Sequence, residues 1–388
     1  MPRPGLTRKL LLGVLATAFV AASGKSFYDH RHLREPVVLG PGVTRVAKLS
    51  EYNPTIAGTA NDANLYVLEG REPGGTIFVF GGTHAEEPAG RLAAWLLVEH
   101  ATVERGRLIV ALSANRSAST VTRPSAAYPA TYTIPTAWGG QTFRMGDRWT
   151  NPLDQWPDPE VFIHHPSGQY LAYVDIRNLN RAFPGRPNGT LTERTTFAFM
   201  ELIRREQVDV AIDLHEAELQ YPVINTIVTH QKGQELATMI SMTLTDLEGF
   251  NIGTEFSPLN LHGLTHREIG DHSQAVSLLF EAPEPFLDAT RGRTNADVLL
   301  SGRDEFVVQA GKKGLLFAPI DEKGWPIATR VGRHTSSVAQ TLETWTEFNA
   351  DRGVLAKNIP RYADLVKHGV GHFLLDPGQA PAGRLAYE

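Results

Sequence analysis

The stretch GGTHAEEP, from Gly81 to Pro88, follows an apolar run and precedes a helical pattern. His84 and Glu87 have the spacing His-x-x-Glu, and an imidazole and a carboxylate one helical turn apart can bind one metal ion. We therefore predict a helix over 87–100 with Glu87 in its first turn, and both side chains as metal ligands. Glu86 is predicted to point away from His84, as an acidic residue favoured by the helix dipole.

Two other apolar runs end on residues of the same types. DVAIDLHEA supplies His215, and AVSLLFEAP supplies Glu281. A lone His at a strand end is more often packed or exposed than functional, but the carboxyl ends of strands in an open α/β sheet meet at one edge, where ligands bind. Two imidazoles and a carboxylate are the protein ligands of a catalytic zinc site. The sequence therefore predicts a metal site made of His84, Glu87 and His215.

A further motif, DIRNLNRAFPG, contains adjacent Asn180 and Arg181, with Arg177 upstream. An arginine guanidinium can hold a carboxylate through two parallel hydrogen bonds, and an asparagine adds another donor. A loop arginine is more often only solvated. From the residues alone, a substrate-binding role and a surface role both remain open.

The elements that must position these residues are short apolar runs alternating with helical patterns. The runs typical of strands are NLYVLEG, TIFVFGG, RLIVALSAN, DVAIDLHEA, NTIVTH and AVSLLFEAP. Besides the helix over 87–100, helices are predicted over 192–207 and 235–247, and further helical stretches near 294–312 and 336–348. Alternating strands and helices predict a three-layer α/β/α sandwich with a mixed, largely parallel central sheet.

The expected organisation is one catalytic domain with flanking segments. A long aperiodic stretch, rich in Pro, Tyr, Trp and Arg, is predicted to be either a functional lid or an irregular packed insertion. The boundaries are a signal peptide or N-terminal anchor at 1–23, a linker at 24–50, the catalytic domain at 51–350 with the insertion at 117–173, and a C-terminal tail packed on the domain at 351–388.

The N-terminus, MPRPGLTRKLLLGVLATAFVAASGKS, has a basic start, an apolar stretch over 10–22 and small residues over 21–23. This order is typical of a signal peptide, and the apolar stretch is short for a membrane span of about 20 residues. An uncleaved anchor is the alternative. The domain is therefore predicted to be exported, periplasmic or extracellular, or held at the inner membrane by its N-terminus.

Composition excludes several classes of function. The formal net charge of −5 and the pI near 6.3 give no footprint for a nucleic acid. The chain has no cysteine, which excludes disulfides, thiolate metal sites and a cysteine nucleophile. No Gly-x-Ser-x-Gly elbow is present, which argues against a serine hydrolase. A metal site made of nitrogen and oxygen ligands remains.

Taken in order, GGTHAEE, RNLNRAFPG and DLHEA, with FEAP after them, resemble the succinylglutamate desuccinylase/aspartoacylase family of the zinc carboxypeptidase superfamily. The resemblance spans roughly residues 84–281, about half of the chain. It implies a zinc-carboxypeptidase-like fold, one Zn²⁺ per chain and hydrolysis of an amide bond near a carboxylate. No separate C-terminal β domain like that of aspartoacylases is visible in the sequence.

The resemblance also implies roles for individual residues. His84, Glu87 and His215 match the zinc ligands, Asn180 and Arg181 match the pair that grips the substrate carboxylate, and Glu281 matches the general base. A general base here would accept a proton from water and pass it to the leaving amine. Asp213, two residues before His215, could orient that imidazole or be an ordinary structural residue.

Other positions remain open. Three arginines compete to stabilise the developing oxyanion: Arg144, Arg148 and Arg177. Arg267 could contact a second substrate carboxylate. His262, His266 and His272 could line the pocket but are expected to be ordinary loop residues, and His164 and His165 are expected at the surface.

These observations predict a zinc-dependent hydrolase whose substrate is a small molecule or peptide with a free carboxylate. An N-acyl amino acid deacylase is the first hypothesis, and a metallocarboxypeptidase acting on peptides or cell-wall fragments is the alternative. A third hypothesis, from another class, is an inactive protein that keeps the pocket to bind a carboxylate ligand. Glu281 argues against this third hypothesis, since a binding protein needs no general base.

Overall fold

The computed structural model describes residues 4–122, 128–287 and 294–388. Residues 1–3 of the predicted N-terminal segment and residues 123–127 of the predicted insertion therefore lie outside the described residues.

The described residues form strands and helices that alternate through the middle of the chain. The strands are β1 Pro36–Val38, β2 Val43–Lys48, β3 Asn64–Glu69, β4 Glu72–Gly81, β5 Thr102–Ala111, β6 Thr131–Thr136, β7 Gly139–Arg144, β8 Phe162–Ile163, β9 Tyr170–Leu171, β10 Val210–Ala217, β11 Thr226–Thr229, β12 Gly253–Phe256, β13 Val276–Pro283, β14 Leu355–Lys357 and β15 Leu385–Tyr387. The helices are α1 Pro4–Arg31, α2 Pro88–His100, α3 Leu191–Arg205, α4 Gln234–Thr243, α5 Thr265–His272, α6 Ala296–Ser301, α7 Glu305–Lys312, α8 Ile327–Phe348 and α9 Tyr362–His368.

The central sheet has the strand order β12-β11-β13-β10-β4-β5-β3-β2. The short strand β14 pairs with the first residues of β5, and β3 pairs with the later ones. The four middle strands of the sheet, β13, β10, β4 and β5, are parallel. Antiparallel pairs flank them, with β11 beside β13 and β3 beside β5. The predicted mixed sheet with a parallel centre is confirmed.

Side chains alternate between the two faces of β4 and build two separate cores. Ile77 and Val79 belong to the core that contains α2, α4 and α8. Phe78 and Phe80 face the other way, and each ring centroid lies 5.8 Å from that of Phe199 on α3. Helices therefore cover both faces of the sheet, as the three-layer prediction required.

All six predicted strands are present, but several element ends differ from the prediction. β10 and β13 continue two residues beyond His215 and Glu281, so these side chains lie within the strands. The helical stretch predicted near 294–312 is divided into α6 and α7, because Gly302 ends α6 in the left-handed conformation with φ 59°. The helix predicted near 336–348 is the second half of the longer α8.

The segment over 24–50 is not a linker. It contains the end of α1, β1, which pairs with β15, and β2, which belongs to the central sheet. The tail over 351–388 lies on the domain through β14, α9 and β15, with α9 packed on α8. The insertion over 117–173 carries two small antiparallel pairs, β6–β7 and β8–β9.

Candidate metal centre and substrate cavity

His84 and Glu87 come together in a turn between β4 and α2, so Glu87 lies just before the helix and not in its first turn as predicted. Glu87 precedes Pro88, the first residue of α2, and its φ of −101° and ψ of 80° lie outside the helical region. A proline ring disfavours helical geometry in the preceding residue. Glu87 therefore caps the helix, and its N–H donates to the His84 carbonyl at 3.2 Å.

The carboxylate of Glu87 lies between two imidazoles. Its Oε1 is 2.6 Å from Nδ1 of His84, and its Oε2 is 2.8 Å from Nδ1 of His215. The two rings are nearly perpendicular, with centroids 4.7 Å apart. All three side chains are buried, and their nearest ligand atoms lie within 4.8 Å of one another. The structure thus brings together the three residues predicted as metal ligands.

The outer nitrogens of the two rings are held by separate acceptors. Nε2 of His84 is 3.0 Å from Oδ1 of Asn178, and Nε2 of His215 is 2.8 Å from Oδ2 of Asp213. Because these oxygens only accept hydrogen bonds, each Nε2 carries the proton, which leaves the Nδ1 lone pair of a neutral ring for a metal. This arrangement fits a zinc site with two nitrogen ligands and one oxygen ligand.

Hydroxyl groups fix the carboxylate of Asp213 in turn. Its Oδ1 accepts from Thr83 Oγ1 at 2.7 Å, and its Oδ2 accepts from Thr265 Oγ1 at 2.8 Å. Asp213 therefore orients His215, the role that its position two residues upstream suggested. Asn178, Thr83 and Thr265 were not identified from the sequence. Only Asn178 carried a signal, since it lies in the RNLNR motif beside Asn180.

Burial and charge set the ionisation of the three ligands. Burial lowers the pKa of His84 to about 4, so its ring is neutral at neutral pH. Burial also lowers the pKa of His215, but the carboxylates of Asp213 and Glu87 outweigh it and raise that pKa well above its usual value. Burial raises the pKa of Glu87, and the two imidazoles reverse this to well below the usual value. Metal binding here would release a proton from His215.

Glu281 lies beside His215 on the neighbouring strand. The two residues are register partners in the parallel pair β10–β13, so their side chains leave the sheet on the same face. Glu281 lines the cavity, and its Oε2 is buried without a hydrogen-bond partner among the described residues. Burial and the neighbouring Glu87 raise its pKa well above the usual value. A carboxyl group in this condition can hold a proton at neutral pH.

Asn180 and Arg181 line the same cavity, which has a volume of about 410 Å³. Oδ1 of Asn180 accepts from the backbone N–H of Thr265 at 2.8 Å, which leaves its amide nitrogen to donate into the cavity. The guanidinium of Arg181 donates to the Asn180 carbonyl at 2.7 Å, and no carboxylate among the described residues forms an ion pair with it. Both side chains are available to an anionic ligand.

Arg148 reaches the cavity from the insertion. Its Nε is 3.1 Å from Oε1 of Glu86, and its Nη2 is 3.5 Å from Oε1 of Glu87. Burial raises the pKa of Glu86 to about 8, despite the opposing charge of Arg148. Glu86 is therefore more than a neighbour of the helix start, because it pairs with the arginine that enters the site.

The other arginines considered from the sequence are engaged elsewhere. Nε of Arg177 is 2.8 Å from Asp158, and Nη2 of Arg144 is 2.8 Å from Glu35. Arg267 is buried, with its Nε donating to Ser257 Oγ at 3.0 Å. None of these three arginines lines the cavity. Of the three oxyanion candidates, only Arg148 lies at the site.

One side of the cavity is apolar. Val228 on β11 and Leu279 on β13 are register partners, and Leu279 lies two residues before Glu281, on the same face of the sheet. The residues that complete this wall are Val223, Phe256, Pro258, Leu261 and Leu264. The cavity lining therefore combines cationic and amide donors with aliphatic and aromatic side chains and with further carboxylates, among them Glu218 and Glu255.

Three histidines, His164, His262 and His272, lie together around Glu268. Nδ1 of His262 and Nε2 of His272 lie 2.8 Å and 3.1 Å from the two oxygens of Glu268. His164 stacks on His262 and is buried, which contradicts the surface position expected for it. Ser167 and the Phe183 carbonyl occupy both ring nitrogens of His164, so the group fastens the insertion to the wall. Of the loop histidines, His266 lines the cavity.

No family model matches the sequence, and no curated protein matches it. Several solved structures are similar to this chain, among them the following three. One is the product-bound ectoine utilization protein EutE (DoeB) from Ruegeria pomeroyi, with 21% identity and a TM-score of 0.34 over 56% of this chain and 53% of that chain.

A second is a succinylglutamate desuccinylase/aspartoacylase from Rhodobacter sphaeroides, with 15% identity and a TM-score of 0.35 over 68% of this chain and 63% of that chain. A third is a metallo-carboxypeptidase from Burkholderia cenocepacia, with 12% identity and a TM-score of 0.45 over 83% and 68%. The chain spans about half the length of EutE and under two thirds of the Rhodobacter protein. Proteins of the family that the motifs resemble, and metallocarboxypeptidases, are thus among the similar structures.

Proposed function

We propose that this chain is a zinc-dependent hydrolase that cleaves an amide bond next to a free carboxylate, with N-acyl amino acid deacylation as its reaction. The observation that carries the proposal is the position of Glu281, which lies beside His215 with an unpartnered carboxyl oxygen in the same cavity. A site that only bound a carboxylate ligand has no need of a buried carboxyl group at this point, whereas hydrolysis needs a group there that accepts and returns a proton.

The residues divide the chemistry between them. Zn²⁺ held by His84, Glu87 and His215 would lower the pKa of water and polarise the carbonyl group of the amide. Glu281 accepts the proton that water loses when it attacks the carbonyl carbon, and then delivers this proton to the departing nitrogen. Its raised pKa favours the second step, in which the protonated group donates to the nitrogen, whereas the first step requires the ionised carboxylate.

Two donors recognise the free carboxylate of the substrate. The guanidinium of Arg181 can accept the anion through paired hydrogen bonds, and the amide of Asn180 adds a donor beside it. Arg148, on the side of Glu87, places a positive charge where negative charge develops on the amide oxygen. The substrate therefore lies with its carboxylate toward Arg181 and its scissile carbonyl between Arg148 and the metal ligands.

The apolar wall indicates the kind of amino acid that is released. Leu279 and Val228 would contact the side chain of the residue that carries the free carboxylate, and neither offers a partner to a charged group. Burying a negatively charged side chain against this wall would cost several kcal/mol without compensation, because other carboxylates of the lining, Glu218 and Glu255, would repel it. The proposed substrates are N-acylated amino acids with aliphatic or aromatic side chains.

The test is metal analysis of the purified full-length chain, followed by a substrate screen read by mass spectrometry. We expect one zinc per chain, loss of that zinc in His84→Ala, and release of apolar amino acids from their N-acetyl derivatives faster than release of aspartate or glutamate. Faster cleavage of peptides would favour the metallocarboxypeptidase alternative. Absence of stoichiometric zinc, unchanged by His84→Ala, would refute the enzyme proposal as a whole.

A further inference from the structure

Helix α1 is long, apolar and almost entirely free of the domain. It runs without a break from Pro4 to Arg31, and its most apolar 18-residue window has a mean hydropathy of 1.6, with none of that window buried. At 1.5 Å per residue the 18 residues of this window extend about 27 Å, close to the thickness of a bilayer core of about 30 Å.

The carboxyl end of α1 is fastened to the domain. Nε2 of His30 lies 3.1 Å from the carbonyl oxygen of Ala130, and Arg31 forms an ion pair with Asp154. Nη1 of Arg144 donates to the Arg31 carbonyl at 3.3 Å. These contacts are made by the same continuous helix that contains the apolar stretch. They therefore fix the orientation of α1 relative to the domain. A segment destined only for removal needs no such attachment.

Aromatic residues mark where the helix would leave the lipid. Phe27 and Tyr28 are both more than 60% exposed and lie one turn before Arg31. Aromatic side chains of this kind are enriched where a membrane meets water. Tyr28 is three residues from Arg31, about 4.5 Å along the helix axis. Asp154, as the partner of Arg31, therefore lies close to the membrane surface.

The insertion exposes apolar side chains at this same place. Leu153 and Trp156, on either side of Asp154, are each 79% exposed. Further along, Ile163 and Tyr170 are cross-strand partners on β8–β9, and both are exposed. Val161 and Tyr173 add to the set. Leu153 and Trp156 flank the residue that pairs with α1, and their exposure is explained if lipid covers them.

The charge beside the helix end favours lipid over a protein as the covering partner. Four arginines line a cleft of about 900 Å³ at the end of α1. Arg31 pairs with Asp154 and Arg144 with Glu35, which leaves Arg34 and Arg116 as the cationic side chains available to a ligand. Anionic phospholipid headgroups are attracted to arginines near a membrane surface. In a bilayer the acyl chains lie beneath the phosphate groups. The exposed apolar side chains would contact the acyl chains, and the arginines of the cleft would contact the phosphates.

We propose that α1 is retained as a membrane anchor and that the insertion rests on the bilayer through Leu153 and Trp156, so that the domain is seated on the lipid in a fixed orientation. This inference stands independently of the proposed hydrolase reaction.

The absence of cysteine makes a direct test simple. Leu153→Cys and Trp156→Cys variants of the full-length chain, each labelled with an environment-sensitive fluorophore, are reconstituted in vesicles of phosphatidylcholine and phosphatidylglycerol. Phe348→Cys is the matched control. Phe348 is also exposed, but it ends α8 close to Arg352, which pairs with Asp209. Asp209 directly precedes β10, so this pair lies at the amino end of that strand.

We expect doxyl-labelled lipid to quench the labels at 153 and 156 several-fold more strongly than the label at 348, and aqueous iodide to show the reverse order. Equal iodide quenching at all three positions would overturn the proposal. Protection of 153 and 156 from both quenchers would also overturn it, in favour of a protein partner. An intact mass of the purified chain that lacks residues 1–23 would overturn the anchor itself. Equal thermal unfolding midpoints of labelled and unlabelled chains establish that folding is retained.

Discussion

Glu281 lines the cavity with a buried carboxyl oxygen, Oε2, that has no hydrogen-bond partner among the described residues. Glu281→Gln should keep zinc bound and lower kcat by about 10²–10⁴-fold, the usual contribution of a positioned acid or base. Metal content and steady-state kinetics measure the two effects separately. Glu255→Gln, which removes another carboxylate on the cavity lining, is the control and should be nearly silent. Loss of zinc in Glu281→Gln would show that its role is in binding the metal.

Arg148 has two roles that a pair of variants can separate. It contacts Glu86, with 3.1 Å between Nε and Oε1, and in the proposed reaction it also stabilises charge on the substrate oxygen. Arg148→Ala should lower kcat by about 10²–10³-fold, as does removal of one oxyanion donor. If Arg148 acts on the substrate, adding Glu86→Gln to Arg148→Ala leaves kcat low. Recovery of kcat in the double variant would mean that Arg148 serves only to balance Glu86.

At this scale the sequence predicted the residues whose type alone suggests chemistry. His84, Glu87 and His215 converge as expected, although Pro88 changes the route by which Glu87 reaches its neighbours. The contact between Asn178 and His84 joins residues 94 positions apart, so no local pattern could reveal it. Likewise, choosing Arg148 over Arg144 and Arg177 required knowing how the irregular insertion folds back on the domain.

At the scale of elements, strands were easier to predict than their limits. The buried parallel strands are apolar on both faces, which gives a continuous apolar run such as TIFVFGG. Helix ends depend on local turn chemistry, as at Pro88 and at Gly302, where a long helical pattern is interrupted. Strands β1 and β2 escaped notice because the first is only three residues long and the second exposes four of its six residues.

Glu35 ties three elements together and makes the stability of the domain dependent on pH. Its carboxylate, just before β1, is buried and pairs with Arg91 of α2 at 2.7 Å and Arg144 of β7 at 2.8 Å. Burial raises its pKa, but the two arginines outweigh this and hold the pKa below the usual 4.5. Its contribution to stability is therefore present above pH 4.5 and lost as the pH falls through the lower folded value.

Glu35→Gln should lower the free energy of unfolding by about 3–5 kcal/mol at neutral pH, because it leaves two buried arginines unpaired. The difference from the unsubstituted chain should shrink as the pH falls below 4.5. Denaturant unfolding at several pH values measures this difference. Glu104→Gln, which breaks an exposed pair with Lys357, is the control, with an expected change under about 1 kcal/mol. A difference that did not depend on pH would contradict this reading of Glu35.

At the scale of the whole molecule, the charges around α1 predict how the chain is oriented. Arg3, Arg8 and Lys9 precede the apolar stretch, and positive residues stay on the cytoplasmic side of a membrane. The domain should therefore lie outside the cytoplasm. A C-terminal alkaline phosphatase fusion should be active, whereas a C-terminal fusion to a green fluorescent protein, exported unfolded, should be dark. The opposite pattern would place the domain in the cytoplasm, and Arg8→Glu with Lys9→Glu should weaken the preference.

The pairing of His215 with Glu281 has a consequence for how this molecule could diversify. Their separation is set by the backbone hydrogen bonds between β10 and β13, which keep neighbouring strands about 4.8 Å apart. The loops that bring Arg148, Arg181 and the apolar wall to the cavity are separate from this pairing. Those loops could therefore be exchanged to alter which substrates are bound, while the pairing of β10 with β13 keeps His215 and Glu281 at a fixed distance from each other.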